Sequence, residues 1–148
     1  MQYEKTYRPA FSVIGVACRT SRTQPAKTMS LWRRFREENI PIQIAERISD
    51  AAYALYCEYD SDDRGEYTLV LGCEVPLDAE ITRETPDGLV VATIPAANYA
   101  LVDARGKQPD TLIAAWADVR KSALKRAYIC DFEVHWGPVA VELYVGVE

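Results

Sequence analysis

Asp131-Phe132-Glu133-Val134-His135-Trp136 runs into Gly137-Pro138 and returns as Val141-Glu142-Leu143-Tyr144-Val145-Gly146-Val147. Alternating side chains rich in β-branched and aromatic residues mark two strands, and Gly-Pro marks the turn between them. The middle of the chain carries the same design. Ala54-Leu55-Tyr56-Cys57-Glu58-Tyr59 leads through a turn from Asp60 to Gly65 into Tyr67-Thr68-Leu69-Val70-Leu71-Gly72-Cys73. Glu58 and Glu133 are 75 residues apart, and Gly72 and Gly146 are 74 apart, half of a 148-residue chain. A hairpin repeated at that distance reads as a two-fold duplication, with halves of about 3–80 and 88–148 and Glu58 as the counterpart of Glu133. The seam between repeats is a natural ligand site.

Working outward, Phe11 to Arg19 reads as a strand. Leu31, Trp32 and Phe35 share one face of a helix, capped by Thr28 or Ser30 and ended by Asn39 and Pro41. An irregular stretch from Ile40 to Asp50 precedes the central strands, Ala51–Tyr59 and Glu66–Pro76. A polar connector, Thr82 to Gly88, holds the turn signal Pro86-Asp87-Gly88. Leu89 to Pro95 reads as a linker strand, and Tyr99 to Ala104 as the first strand of the second half. Leu112, Trp116, Val119 and Ala123 form the stripe of a second helix that starts at Pro109-Asp110 and ends near Lys125-Arg126. The expected fold is α+β: two βαββ units with pseudo-two-fold symmetry, an antiparallel sheet with the helices on one face, and a cleft between the halves. The other sheet face then has to be hidden by curvature, a partner or a ligand.

The length fits a single domain over 1–148, and 49% hydrophobic residues exclude a disordered chain. A net charge of −5 argues against direct nucleic-acid binding and for cationic small molecules. The aromatic and basic run Trp32-Arg33-Arg34-Phe35-Arg36 is followed by Glu37-Glu38, as on a solvated helix face. No apolar run is long enough for a membrane span, and a cytoplasmic location is expected. Cys18, Cys57, Cys73 and Cys130 lack metal-ligand spacing and read as reduced core residues. Asp131, Glu133 and His135 share one strand face, but His135 is the single histidine of the chain. A structural zinc site draws several Cys or His ligands together, so neither metal nor cofactor is expected.

The order of elements, the motif Leu31-Trp32-Arg33-Arg34-Phe35, and the ending Phe132-Glu133-Val134-His135 with Val141 to Val147 resemble the GyrI-like effector-binding domain of AraC-type and MerR-type regulators. The opening Phe11-Ser12-Val13-Ile14-Gly15 and the short length resemble, in particular, the stand-alone effector-binding proteins of integron gene cassettes. The resemblance spans roughly Tyr3 to Glu148. It implies a duplicated βαββ fold whose aromatic cleft holds a deep carboxylate favouring cationic, lipophilic compounds. Glu133 matches that carboxylate in a Phe-Glu-x-Tyr pattern, and His135 stands where the family carries tyrosine.

The expected ligand-binding residues are therefore Glu133, with Trp32, Tyr56, Trp116 and Tyr144 as stacking walls and His135 beside them. Trp32 and Trp116 read equally well as core anchors, and alternation alone does not separate pocket from core among the strand tyrosines. A buried carboxylate needs a cation or donors to offset its desolvation, and a delocalised cation against aromatic rings gains ~0.5–2 kcal/mol per contact. No catalytic residue is assigned in this reading. Two alternatives stand beside it: a hydrolase of strained electrophiles using Glu133, and an interaction module docking on a transcription regulator. The chain is expected as a monomer or a homodimer.

Overall fold

The computed structural model describes residues 1–77 and 88–148. The polar connector read from Thr82 to Gly88, with its turn signal, lies outside them except for Gly88. Among the described residues the strands are β1 (Glu4–Arg8), β2 (Phe11–Thr20), β3 (Ala52–Cys57), β4 (Tyr67–Val75), β5 (Val90–Ile94), β6 (Ala97–Asp103), β7 (Cys130–His135) and β8 (Val141–Val147). The helices are α1 (Pro25–Glu37), α2 (Ile40–Gln43) and α3 (Asp110–Lys121). One antiparallel sheet holds all eight strands in the order β1-β6-β8-β7-β3-β4-β2-β5. The α+β duplication is therefore present, and β3 and β7 form the seam between the halves.

Each repeat is one strand longer than the sequence pattern indicates. Glu4–Arg8 is a strand whose mostly polar residues carry no apolar alternation, and it pairs with β6 of the other half. The supposed linker strand is its counterpart, since β5 pairs with β2. The unit is thus ββαββ, with the first strand of each half exchanged onto the other.

That exchange forces the sheet to curl. Six strand steps separate β1 from β2, roughly 28 Å across a flat sheet at ~4.7 Å per step. Only Pro9-Ala10 joins them, a link that reaches about 11 Å at ~3.6 Å per residue. Pro95-Ala96 sets the same constraint between β5 and β6. The helix-free face closes inward as a result: Phe11 of β2 and Phe132 of β7, three strands apart, stand 5.0 Å apart between ring centroids. Tyr53, Tyr99 and Tyr144 complete this aromatic cluster, and the Arg8 guanidinium caps it 4.0 Å above the Phe11 ring. Curvature hides the centre of the second face, where the aromatic cluster sits.

Gly15 and Gly72 face each other across β2 and β4. A Cβ on either would come within 2.0 Å of a carbonyl oxygen on the neighbouring strand, so the close approach of the two backbones requires glycine.

The helices cover the outer face. α1 buries Leu31 and Phe35 over β2 and β4. It starts at Pro25, a residue pre-set for the first helical position, and so earlier than a Thr28 or Ser30 cap allows. α3 buries Ala115 and Val119 against the strands of the second half. It ends at Lys121, so Arg126 is not a helix-terminal cation but part of a buried ion pair described below.

Candidate functional site

The β3–β7 register places Ala52 opposite His135, Ala54 opposite Glu133, and Tyr56 opposite Asp131. These side chains rise from the outer face into the space between α1 and α3. The alanines leave room for the longer polar side chains across the seam. Glu133 is 2% exposed. Its Oε2 accepts hydrogen bonds from the Tyr56 hydroxyl at 2.7 Å and from Trp116 Nε1 at 2.7 Å. Its Oε1 lies 2.9 Å from His135 Nε2.

Trp32 reaches the site from α1, its ring 5.4 Å from that of His135 in an edge-on arrangement. Trp116 reaches it from α3 and meets the Tyr56 ring at 5.2 Å. Five of the six residues expected at the site therefore meet: Glu133, Trp32, Tyr56, Trp116 and His135. Burial, reinforced by the neighbouring Glu133 charge, pushes the Tyr56 phenol well above its ordinary range and keeps it a neutral donor.

Tyr144 does not join them. It lies on the inner face, stacked on Phe132 at 4.5 Å and 9° and edge-on to Tyr99. The reason is register: Leu143, not Tyr144, is opposite Glu133, and side chains alternate faces along β8.

Glu58, read as the repeat mate of Glu133 and expected to be exposed or hydrogen-bonded near the turn, is exposed there but is not the structural counterpart of Glu133. Gly72 is opposite Tyr53, while the β7–β8 register, carried two residues beyond Phe132↔Tyr144, puts Gly146 opposite Cys130. Counted from those glycines, the position equivalent to Glu133 is Tyr56. Glu58 has left the strand, with φ of 51°, and is exposed. The spacings of 75 and 74 cannot both mark equivalent positions.

A second polar group lies one step along the same face, around Asp131, which the sequence set beside Glu133 without giving it a role. Asp131 is fully buried and receives Arg126 Nη2 at 2.8 Å, the Gly146 N–H at 2.8 Å, and the Tyr59 hydroxyl. Burial pushes the Asp131 carboxyl up, with Arg126, Tyr59 and the Gly146 amide opposing that push. Arg126 also bonds Asp63 and stands 4.6 Å over the Tyr128 ring. Tyr67 links the two groups, its ring 5.5 Å from Tyr56 and 5.7 Å from Tyr59. The sequence signal was the alternation that sets Asp131 and Glu133 on one side. Nothing local announced that Arg126 folds back onto it.

The site is thus a covered carboxylate under an aromatic roof carried by two helices, with an internally neutralised acid beside it. The family model for Cass2, described as integron-associated effector binding protein, matches residues 6–147. The chain belongs to that family. Its family model is described as an effector-binding protein, which favours binding over the hydrolase alternative. No match is found among curated proteins.

The fold recurs in solved structures of low sequence identity. An integron cassette protein from the mobile metagenome of Vibrio cholerae superposes with a TM-score of 0.76 at 24% identity, over 99% of this chain and 95% of that one. SAV2435, solved with tetraphenylphosphonium bound, gives 0.76 at 16% identity, over 100% and 94%. A structure described as a putative bacterial transcription regulation protein from Staphylococcus aureus MU50 gives 0.75 at 15% identity, over 100% and 99%. As in the Cass2 family, small-molecule binding is what the chain does.

Proposed function

We propose that this Cass2-family chain binds cationic, lipophilic small molecules between α1 and α3, over the β3–β7 seam, with Glu133 as counter-charge. The observation that carries the reading is the Glu133 carboxylate, 2% exposed, with two uncharged donors on one oxygen and aromatic rings around it. A charge so placed is incompletely offset by neutral donors. A delocalised cation entering between Trp32 and Trp116 supplies the missing charge and stacks on the rings. His135 occupies Oε1, so an arriving cation takes its place or packs against it. SAV2435, which shares the fold, is solved with such a cation.

Binding of tetraphenylphosphonium by isothermal titration, for wild type, Glu133→Gln and the exposed control Glu38→Gln, tests the reading. The amide keeps an acceptor for Tyr56 and Trp116 and gives His135 a donor, so the fold is retained. At an effective dielectric near 20 a charge pair about 5 Å apart is worth ~3 kcal/mol. After desolvation a loss of about 2 kcal/mol, roughly 30-fold, is expected for Glu133→Gln and none for the control. Equal affinity in both variants refutes the counter-charge role. The protein works in the cytoplasm in this reading, and a transcription regulator is its candidate partner, one structure of the same fold being described as a transcription regulation protein.

A further inference from the structure

An opening lies on the inner face of the sheet, away from Glu133. It encloses about 630 Å³, within the 300–1,000 Å³ of small-molecule sites. Its walls include Ala17, Val70, Ala92 and Ile94 from the inner face, together with Cys57 and Cys130. The two thiols sit directly opposite each other across the seam. Burial pushes the Cys57 thiol up to about 11 and the Cys130 thiol up as well, so both are uncharged at neutral pH.

The mouth is framed by Tyr59 and Tyr128, whose rings meet edge-on at 5.8 Å. Glu58, the single formal charge among the lining residues, sits at the exposed lip. Glu58 and Tyr128 both have positive φ, 51° and 54°, which is uncommon for any side chain and strained for a tyrosine. Strain of this kind gathers where a fold shapes a binding site.

We infer that this cavity is a second binding site, selective for uncharged, predominantly apolar molecules, and separate from the carboxylate site. The charge pattern decides the class: interior methyl groups, protonated thiols and threonine hydroxyls offer an ion no counter-charge, and the Tyr128 ring already faces the Arg126 guanidinium. A neutral aromatic molecule loses nothing by entering and buries apolar surface in exchange. The inference does not rest on the cation reading of Glu133.

The test uses N-phenyl-1-naphthylamine, an uncharged dye that brightens on leaving water, titrated into the full chain. One saturable site per chain is expected. Saturating tetraphenylphosphonium, or Glu133→Gln, is expected to change its affinity less than about twofold, because the two sites lie on opposite faces. Ala92→Phe and Ala17→Leu fill the cavity, and either is expected to weaken the dye roughly tenfold or more. Thermal melts check that these variants fold. If they do not, Val90→Trp, at an exposed lining position, replaces them, and it is expected to weaken the dye likewise. Absence of saturable binding, displacement by tetraphenylphosphonium, or binding insensitive to the filled or obstructed cavity overturns the inference.

Discussion

Removing the Tyr56 hydroxyl while keeping its ring should move stability and cation affinity in opposite directions. In wild type the hydroxyl donates to Glu133 Oε2 at 2.7 Å, sharing that oxygen with Trp116. A hydrogen bond to a buried charge contributes about 1.5–3 kcal/mol, so Tyr56→Phe is expected to cost that much in folding free energy. For a chain of this size each kcal/mol moves Tm by about 2–4 °C, giving a fall of roughly 3–12 °C. The same loss leaves the carboxylate less satisfied, and an incoming cation recovers part of it. If about half is recovered, the gain of ~1 kcal/mol means roughly fivefold tighter binding of tetraphenylphosphonium.

Calorimetric titration and thermal unfolding of the four proteins in a Tyr56→Phe, Glu133→Gln cycle measure both effects. In the Glu133→Gln background the affinity gain should vanish, because no under-satisfied charge remains. A Tyr56→Phe variant that melts lower and also binds more weakly would falsify the account, since it would make the hydroxyl a ligand contact rather than a rival of the ligand.

Four other outcomes follow from the same geometry. Arg126→Met leaves Asp131 buried without its cation and should cost about 3–5 kcal/mol by urea denaturation, with Arg126→Met/Asp131→Asn recovering much of it. Gly72→Ala places a Cβ against the Ile14 carbonyl at 2.0 Å and should destabilise by about 2 kcal/mol or more, whereas Gly137→Ala, with nothing within 4 Å, should be near neutral. Tyr144→Leu should lower stability by about 1–2 kcal/mol through its lost stacking on Phe132, yet leave tetraphenylphosphonium affinity unchanged; a clear loss of affinity would return Tyr144 to the site. Cys57 is held up to about 11, so the folded state keeps its proton where the unfolded thiol gives it up. Stability from Cys57 is full below about pH 8.5 and is lost as pH rises towards 11, and Cys57→Val should flatten that part of the profile.

The hairpins were legible because alternation and turn chemistry act over a few residues, and the two helices because Leu31, Trp32 and Phe35, and Leu112, Trp116 and Val119, each make a stripe. Glu133 was legible through its motif. Glu4–Arg8 was not, because an edge strand whose residues are mostly exposed carries no apolar alternation, and its partner β6 lies about ninety positions away. Tyr144 went to the wrong face because choosing a face along β8 requires the register with β7, which no local pattern specifies. Arg126 was taken for a helix end because a cation after an amphipathic stripe looks the same whether it caps a helix or turns back to meet Asp131. In each case the missing information was a pairing between distant segments.

The site itself shows what duplication makes available. Along the seam, β3 offers Ala52, Ala54 and Tyr56 to the outer face, and β7 offers His135, Glu133 and Asp131 against them in that order. Identical halves would set acids against acids here, and carboxylates brought together across one ladder repel. Divergence lets one half supply space and a phenol while the other supplies charge, so Glu133 is buried with donors from the opposite half and from its own helix. Asp131 has its cation from within its own half, Arg126, and so offers no net charge to a ligand. Of the two acids on the seam, only Glu133 has an uncharged roof of aromatic donors, one from each half of the chain. The fold's symmetry builds the cleft, and the unequal filling of its two sides gives that cleft its sign.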